Sequence, residues 1–265
     1  MTDRTFENRG RLRRRAIGAW ITVVFLFLLV DGGSFLSNAA EELSAAKIVA
    51  LADEIRIPQR SFEVQVVITS TNGDGSTDVK EYEILSKGAD RTIVRTTAPA
   101  LDRGQALLMR GKDLWLFLPT VSQPVRLSLS QRLTGQVANG DLARANFAGD
   151  YAATLTGSES IDGQSYHVLE LKAADRSVTY NRVLYWVNKS NYRPLKAEFY
   201  AVSGKLLKTC LYQNFKDAAG KVRPTTLVMQ DAVTSAARSV LQYGNFQLRD
   251  LPEKYFNKDY LSKLQ

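Results

Sequence analysis

One cysteine and one histidine stand in 265 residues, and that shortage excludes several classes of protein. A disulfide framework needs paired cysteines, and Cys/His zinc sites need several ligands. A Ser-His-Asp or Cys-His catalytic site would need His167 as its only base, and no Gly-x-Ser-x-Gly elbow is present to support one. No pair of carboxylates stands out as a glycosidase couple, although such pairs meet only in space. The reading is therefore a protein that is not an enzyme, with no catalytic residue, no metal and no cofactor. Nucleic acid is excluded as a partner: the formal charge of +8 is scattered, and no Lys/Arg stripe interleaves with aromatics. A hydrophobic content of 45% excludes a disordered chain and is ample for one core.

What the chain does have begins with an address. Arg11, Arg13, Arg14 and Arg15 precede the uncharged run Ala16 to Val30, which Asp31, Gly32 and Gly33 then break. Ser37-Asn38-Ala39 supplies the small residues a signal peptidase needs. A bilayer span takes about 20 apolar residues, more than this run offers. The expectation is a cleavable signal peptide over residues 1–39, with a retained membrane anchor as the alternative, and a single domain over residues 40–265.

After this segment, Glu41 to Ile57 reads as a helix, with Leu43, Ala46, Ile48, Val49, Leu51, Ala52 and Ile55 on one face and Pro58 ending it. Short strands separated by turn clusters follow. Val64, Val66 and Ile68 alternate with polar residues, Asn72-Gly73-Asp74-Gly75 reads as a hairpin turn, and a strand returns through Tyr82 and Ile84. Further strands are expected at 91–97, 105–110, 114–118, 125–129, 166–172, 182–188, 195–200, 206–215, 225–230 and 240–248, with a short polar helix after Pro252. Strands at this spacing without intervening helices indicate an antiparallel meander, closed as a barrel or open and strongly curved.

Two stretches depart from the rhythm. Residues 105–118 are apolar at successive positions, so both faces of those strands must be covered by helix, loop or ligand. Ser128 to Tyr151 has no strand pattern and carries Gly135, Gly140 and Gly149. So long a connection is commonly a lid or a binding loop. Leu107, Met109, Trp115, Phe117, Tyr185 and Trp186 are the candidate lining of an apolar cavity, though aromatics also serve as ordinary core. Arg132, Gly135, Gly140 and Arg144 are the candidate lid residues. Arg126, beside the same loop, could meet anionic headgroups, as could Arg132 and Arg144; surface arginines are otherwise solvated.

Three other features read as structural. Asn72, Asp74, Ser76, Asp78 and Glu83 imitate a calcium-binding loop, but Thr77 stands where glycine is required, and a hairpin tip explains them more simply. His167 shares a strand face with Leu169 and Leu171, as a packing residue does. Cys210 reads as a buried thiol in a strand.

The run Asp102-Arg103-Gly104-Gln105, then Gly111-Lys112-Asp113-Leu114-Trp115-Leu116-Phe117-Leu118-Pro119 and Pro124-Val125-Arg126-Leu127-Ser128, resembles the outer-membrane lipoprotein-sorting (LolA-like) family. Gln131 to Asp141 is similar to one divergent subfamily. The resemblance implies a mainly β fold with helices (α+β): an incomplete antiparallel β-barrel, or half-barrel, covered by helices and a long loop. It implies a monomeric periplasmic carrier of a Gram-negative envelope that shields acyl chains of an acylated lipoprotein or membrane lipid. An inner-membrane transporter of RND or ABC type would be a further partner. The alternative function is an interaction module that works with a membrane exporter and carries no lipid.

Overall fold

The computed structural model describes residues 43–261, and the expected signal peptide at residues 1–39 lies outside them. Helix α1 (Ala45–Arg56) starts where the Ser44 hydroxyl accepts the Lys47 N–H at 3.3 Å and stops before Pro58. It buries Ile48, Val49 and Ala52. Strands β1 (Phe62–Thr71), β2 (Thr77–Lys87), β3 (Arg91–Ala98), β4 (Ala106–Arg110), β5 (Asp113–Phe117) and β6 (Val125–Leu127) follow as an antiparallel meander. A small hairpin, β7 (Arg132–Thr134) and β8 (Val137–Ala138), leads into helix α2 (Asn139–Ala143). A second meander runs through β9 (Tyr151–Ile161), β10 (Gln164–Ala173), β11 (Arg182–Asn188), β12 (Pro194–Tyr200), β13 (Leu206–Ala218), β14 (Lys221–Asp231) and β15 (Arg238–Tyr243). Then come β16 (Gln247–Leu248), a 3-10 turn at Glu253–Phe256 and helix α3 (Lys258–Leu261).

The sheet order is β6-β5-β4-β3-β2-β1-β15-β14-β13-β12-β11-β10-β9, with β16 also pairing β1. β1 is thus central, and the sheet is curved and open, with β6 and β9 as its two edges. Alternation sets the faces. Along β1, Phe62, Val64, Val66 and Ile68 are buried, and they belong to one apolar cluster with α1, α2 and strands of both meanders. The sheet curls around that cluster, which defines its inner face. Two-residue turns hold the register: β9 and β10 are joined by Asp162 (φ 49) and Gly163 (φ 74), the left-handed pair a tight hairpin requires.

The strands at 105–118 are covered on both sides, as their composition demands. Leu107, Met109 and Leu114 face inward, where α2 packs on β3 and β4. Ala106 and Leu108 face outward with Leu85 and Ile93, against Leu251, Phe256 and Leu261 of the C-terminal segment. The expected polar helix after Pro252 is accordingly a 3-10 turn and a short α-helix that bury Phe256 and Leu261.

Three expectations need correction. Residues 128–151 are not wholly irregular, since they hold β7, β8 and α2. β9, which carries no clear apolar alternation, is an edge strand with most of its residues exposed. The final strand expected over 240–248 is divided into β15 and β16, which pair different parts of β1.

Candidate functional site

The site is the inner face and the segment that closes it, residues 139–150. Three groups of charged side chains fasten this lid. At the first, Asp53 of α1 is 2% exposed. Its Oδ2 accepts the backbone N–H groups of Phe147 at 2.8 Å and Ala148 at 2.7 Å, and its Oδ1 accepts Arg56 Nη1 at 2.9 Å. Burial raises the Asp53 pKa, against the opposing pull of Arg56 and the two N–H donors. Arg56 also donates to the Ala145 carbonyl, and its guanidinium lies 4.1 Å from the centre of the Phe147 ring. At the second, Arg144 forms a two-pronged pair with Asp150 and donates to the Gly111 carbonyl at 2.8 Å, fixing the lid to the β4–β5 turn. At the third, Asp141 caps α2 by accepting the Ala138 N–H at 2.8 Å. Asp141 also accepts Lys208 Nζ at 2.7 Å and the Tyr180 hydroxyl at 2.8 Å. Burial, then the charge of Asp141, push the Tyr180 phenol well above its usual range, which keeps it a donor.

Between these anchors the lid inserts Phe147, whose ring meets those of Tyr151 (5.6 Å), Tyr185 (5.3 Å) and Phe199 (6.4 Å). The inner face is filled in this state. The voids lined by both lid and sheet residues near Arg56 and near Ile57 are about 20 Å³ each, room for about one water. The same C-terminal turn of α1 is also bound to the sheet. Arg223 of β14 donates to the Glu54 and Ile55 carbonyls at 2.6 and 3.2 Å, satisfying the helix terminus. The polar contacts therefore hold residues 139–150 against α1 and the sheet.

The six candidate lining residues do not share a face. Leu107, Met109 and Tyr185 lie on the inner face beneath the lid. Trp115 and Phe117 pack with the outer cluster, because Trp115 pairs with outward Leu108 and the pleat places Leu114 and Leu116 opposite. Trp186 also points outward, beside inward Tyr185. Its indole donates to Glu159 at 2.6 Å, and Lys196 lies 3.9 Å over its ring. Strand periodicity separates the two faces without saying which is inside.

Among the lid candidates, Arg144 and Gly140 belong to the closing segment, whereas Arg132 is exposed on β7. Arg126, exposed, pairs with Asp113. Gly135 has φ +48, and a Cβ there would lie 2.2 Å from Ser70 Oγ and 2.3 Å from Ser239 Oγ, two buried hydroxyls bonded to each other at 2.8 Å. Gly135→Ala should cost roughly 1–3 kcal/mol, read as a lower urea midpoint at unchanged slope. A midpoint equal to the parent's would show that the hairpin is not seated against those serines.

The remaining singled-out residues are structural. Asp74 accepts the Ser76 N–H at 2.9 Å within the β1–β2 turn, while Glu83 pairs with Arg95. Among the described residues no group of three or more His, Cys, Asp or Glu could hold a metal. His167 is half-buried opposite Val187, on the face of Leu169 and Leu171. Cys210 is buried on β13, and burial pushes its thiol up to about 12. Asp53, Arg56, Asp141, Phe147 and Lys208 were not singled out by the sequence. The available hint was the oppositely charged pair Asp53 and Arg56 at i,i+3 in the last turn of an amphipathic helix.

An open, curved antiparallel sheet with few helices is the half-barrel that the resemblance to the LolA-like family implied. Comparison with solved structures agrees. The chain is 59% identical to a LolA superfamily protein from Nitrosomonas europaea, with a TM-score of 0.79 over 82% of this chain and 99% of that one. It is 25% identical to a putative outer membrane lipoprotein-sorting protein domain from Vibrio parahaemolyticus, with a TM-score of 0.70 over 82% and 98%. A DUF1329 family protein from Desulfovibrio piger shares the fold, with 21% identity and a TM-score of 0.71 over 82% and 97%. A family model described only as an uncharacterized protein matches residues 88–263. No curated protein matches. The chain belongs to the LolA superfamily. Among its described residues no helix is long and apolar enough to cross a membrane.

Proposed function

We propose that this protein is a periplasmic carrier that shields acyl chains of lipoproteins or lipids on its inner face during transfer between envelope membranes. The observation that carries the reading is the lid: an apolar sheet face closed by a segment held at a few charged anchors. On this reading residues 1–39 are the export signal, residues 40–265 are the carrier domain, and an inner-membrane transporter of RND or ABC type hands over the cargo. Leu107, Met109 and Tyr185 would form the acyl-contacting surface. The lid is residues 139–150, and α1, capped by Arg223, is the frame against which it closes.

The energetics suit reversible loading. Each buried methylene gains about 0.8 kcal/mol, so a sixteen-carbon chain gains at most roughly 13 kcal/mol. Leaving a membrane loses a similar amount. Displacing Phe147 and Leu142 from the core costs roughly 3–6 kcal/mol at the usual value per large apolar side chain. Breaking the polar anchors adds to that. A cargo chain that takes the place of the lid residues compensates for both, so the closed and loaded states can lie close in free energy.

The experiment is extraction of the protein, isolated from its native envelope, with organic solvent, followed by mass spectrometry and titration with a fluorescent fatty acid. Co-purifying acyl lipid and saturable probe binding are expected. Absence of both would overturn the carrier reading. It would favour the alternative that the filled inner face also supports, an interaction module that works with an exporter and takes no lipid.

A further inference from the structure

A large open space lies on the outer face. A groove of about 930 Å³ runs between the C-terminal segment and the β5–β6 loop, and a second lobe of about 370 Å³ adjoins it at Gly104, Ala106 and Leu261. Each lobe falls within or near the range of about 300–1,000 Å³ typical of small-molecule sites. Trp115 and Phe117, only half-buried, line the larger lobe with Leu118, Pro119 and Pro124. The lobes can adjoin because residue 104 lacks a side chain: a Cβ at Gly104, where φ is +88, would lie 3.1 Å from the Pro119 ring.

Cations outnumber acids in the lining of the groove. Arg126 and Lys258 line the larger lobe and Arg95 and Arg103 the smaller, against Asp259 as the single acid. Arg126 is paired with Asp113 and Arg95 with Glu83. The Lys258 ammonium lies 3.8 Å over the Trp115 ring, so a cation is held beside an aromatic wall. The lining is mixed, with Thr120, Ser122 and Gln123 on the loop side. The aromatic strip of Trp115 and Phe117 beside the Lys258 ammonium nonetheless matches a ligand that has an anionic head and a hydrocarbon tail.

We propose that this groove binds a single-chain anionic amphiphile, with its carboxylate or phosphate head at Lys258 and its tail along Trp115 and Phe117. The site is separate from the lidded inner face, since the pleat puts Trp115 on the opposite side of the sheet from Leu114 and Leu116. It does not rest on the carrier reading.

The test is quenching of tryptophan fluorescence in the full chain by 11-bromoundecanoate. Dodecanoate, dodecyl phosphate and uncharged dodecyl maltoside serve as competitors. Saturable quenching is expected, lost in Trp115→Phe and shifted to about tenfold weaker affinity in Lys258→Glu. Lys258 is exposed, so an unchanged melting temperature is expected for that variant. Competition by the carboxylate, the phosphate or both identifies the head group and supports the proposal. Quenching that persists in Trp115→Phe, or competition by the maltoside as strong as by the anions, would overturn it. So would adsorption to phosphatidylglycerol vesicles with no binding of the monomeric probe, which would mark the surface as a bilayer contact instead.

Discussion

Replacing Arg56 by alanine should open the lid and make Cys210 reactive. In the closed protein Cys210 has no exposed surface, and with its thiol pushed up to about 12 almost none is thiolate at pH 8. Labelling by a thiol reagent such as DTNB therefore waits on an opening event. Arg56→Ala leaves Asp53 buried without its counter-charge, frees the Ala145 carbonyl and removes the cation from the Phe147 ring. Breaking one side of a buried pair costs about 3–5 kcal/mol. If that cost falls on the closed state, labelling accelerates by roughly 100-fold or more, since each 1.4 kcal/mol is about tenfold. Asp53→Asn should act in the same direction and less strongly, because the amide oxygen can still accept the lid N–H groups. The measurement is the labelling rate beside a urea unfolding curve. A large loss of global stability with no rise in labelling below the unfolding transition would make Arg56 a member of the general core rather than of a latch.

Locking the lid should abolish acyl binding. A Cβ at Gly140 would stand 3.0 Å from Thr179 Cβ, a little closer than the 3.5–4.5 Å spacing typical of disulfides (about 3.8 Å on average). In Gly140→Cys/Thr179→Cys the hydroxyl that would clash is also gone, and a movement of roughly half to one ångström brings the pair into that range. The bridge would tie α2 to the segment between β10 and β11. The oxidised protein should show no uptake of a fluorescent fatty acid on its inner face, and dithiothreitol should restore it. The background must carry Trp115→Phe and Lys258→Glu, so that the outer groove does not contribute. Equal uptake by the oxidised and reduced forms would mean that residues 139–150 are not the gate.

Much of the sheet was legible because its strands carry strong local signals. Arg182–Asn188 is β11 to the residue, and β3, β4, β5 and β12 are displaced by a residue or so at their ends. β9 was not legible. An edge strand has one neighbour, and its apolar stripe is only Tyr151, Ala153 and Leu155 before Gly, Ser and Glu take over. α2 was hidden for a different reason: five residues are too few for a helical period to repeat. The demand that residues 105–118 be covered on both faces was sound, but composition alone could not reveal that the outward cover is the protein's own C-terminal segment. The inward or outward sense of Trp115 and Trp186 is a matter of strand parity relative to a core assembled from distant segments. The latch was harder still. Asp53, Arg56, Asp141 and Lys208 are ordinary surface types in a list of residues, and only the fold buries them together.

The central position of β1 has a consequence for how the molecule is built. Every other neighbour on the path from β6 to β9 is joined to the next by its own connection, so each wing is a local meander that can zip up alone. The wings meet along one seam, where residues 66–71 pair with 238–243. Closing it spans nearly the whole domain, the kind of long-range step that limits folding speed. A polypeptide emerging N-terminus first cannot close this seam until its last few dozen residues are free. Until the second wing has formed, α1 lacks β9 and β14, the strands it packs against.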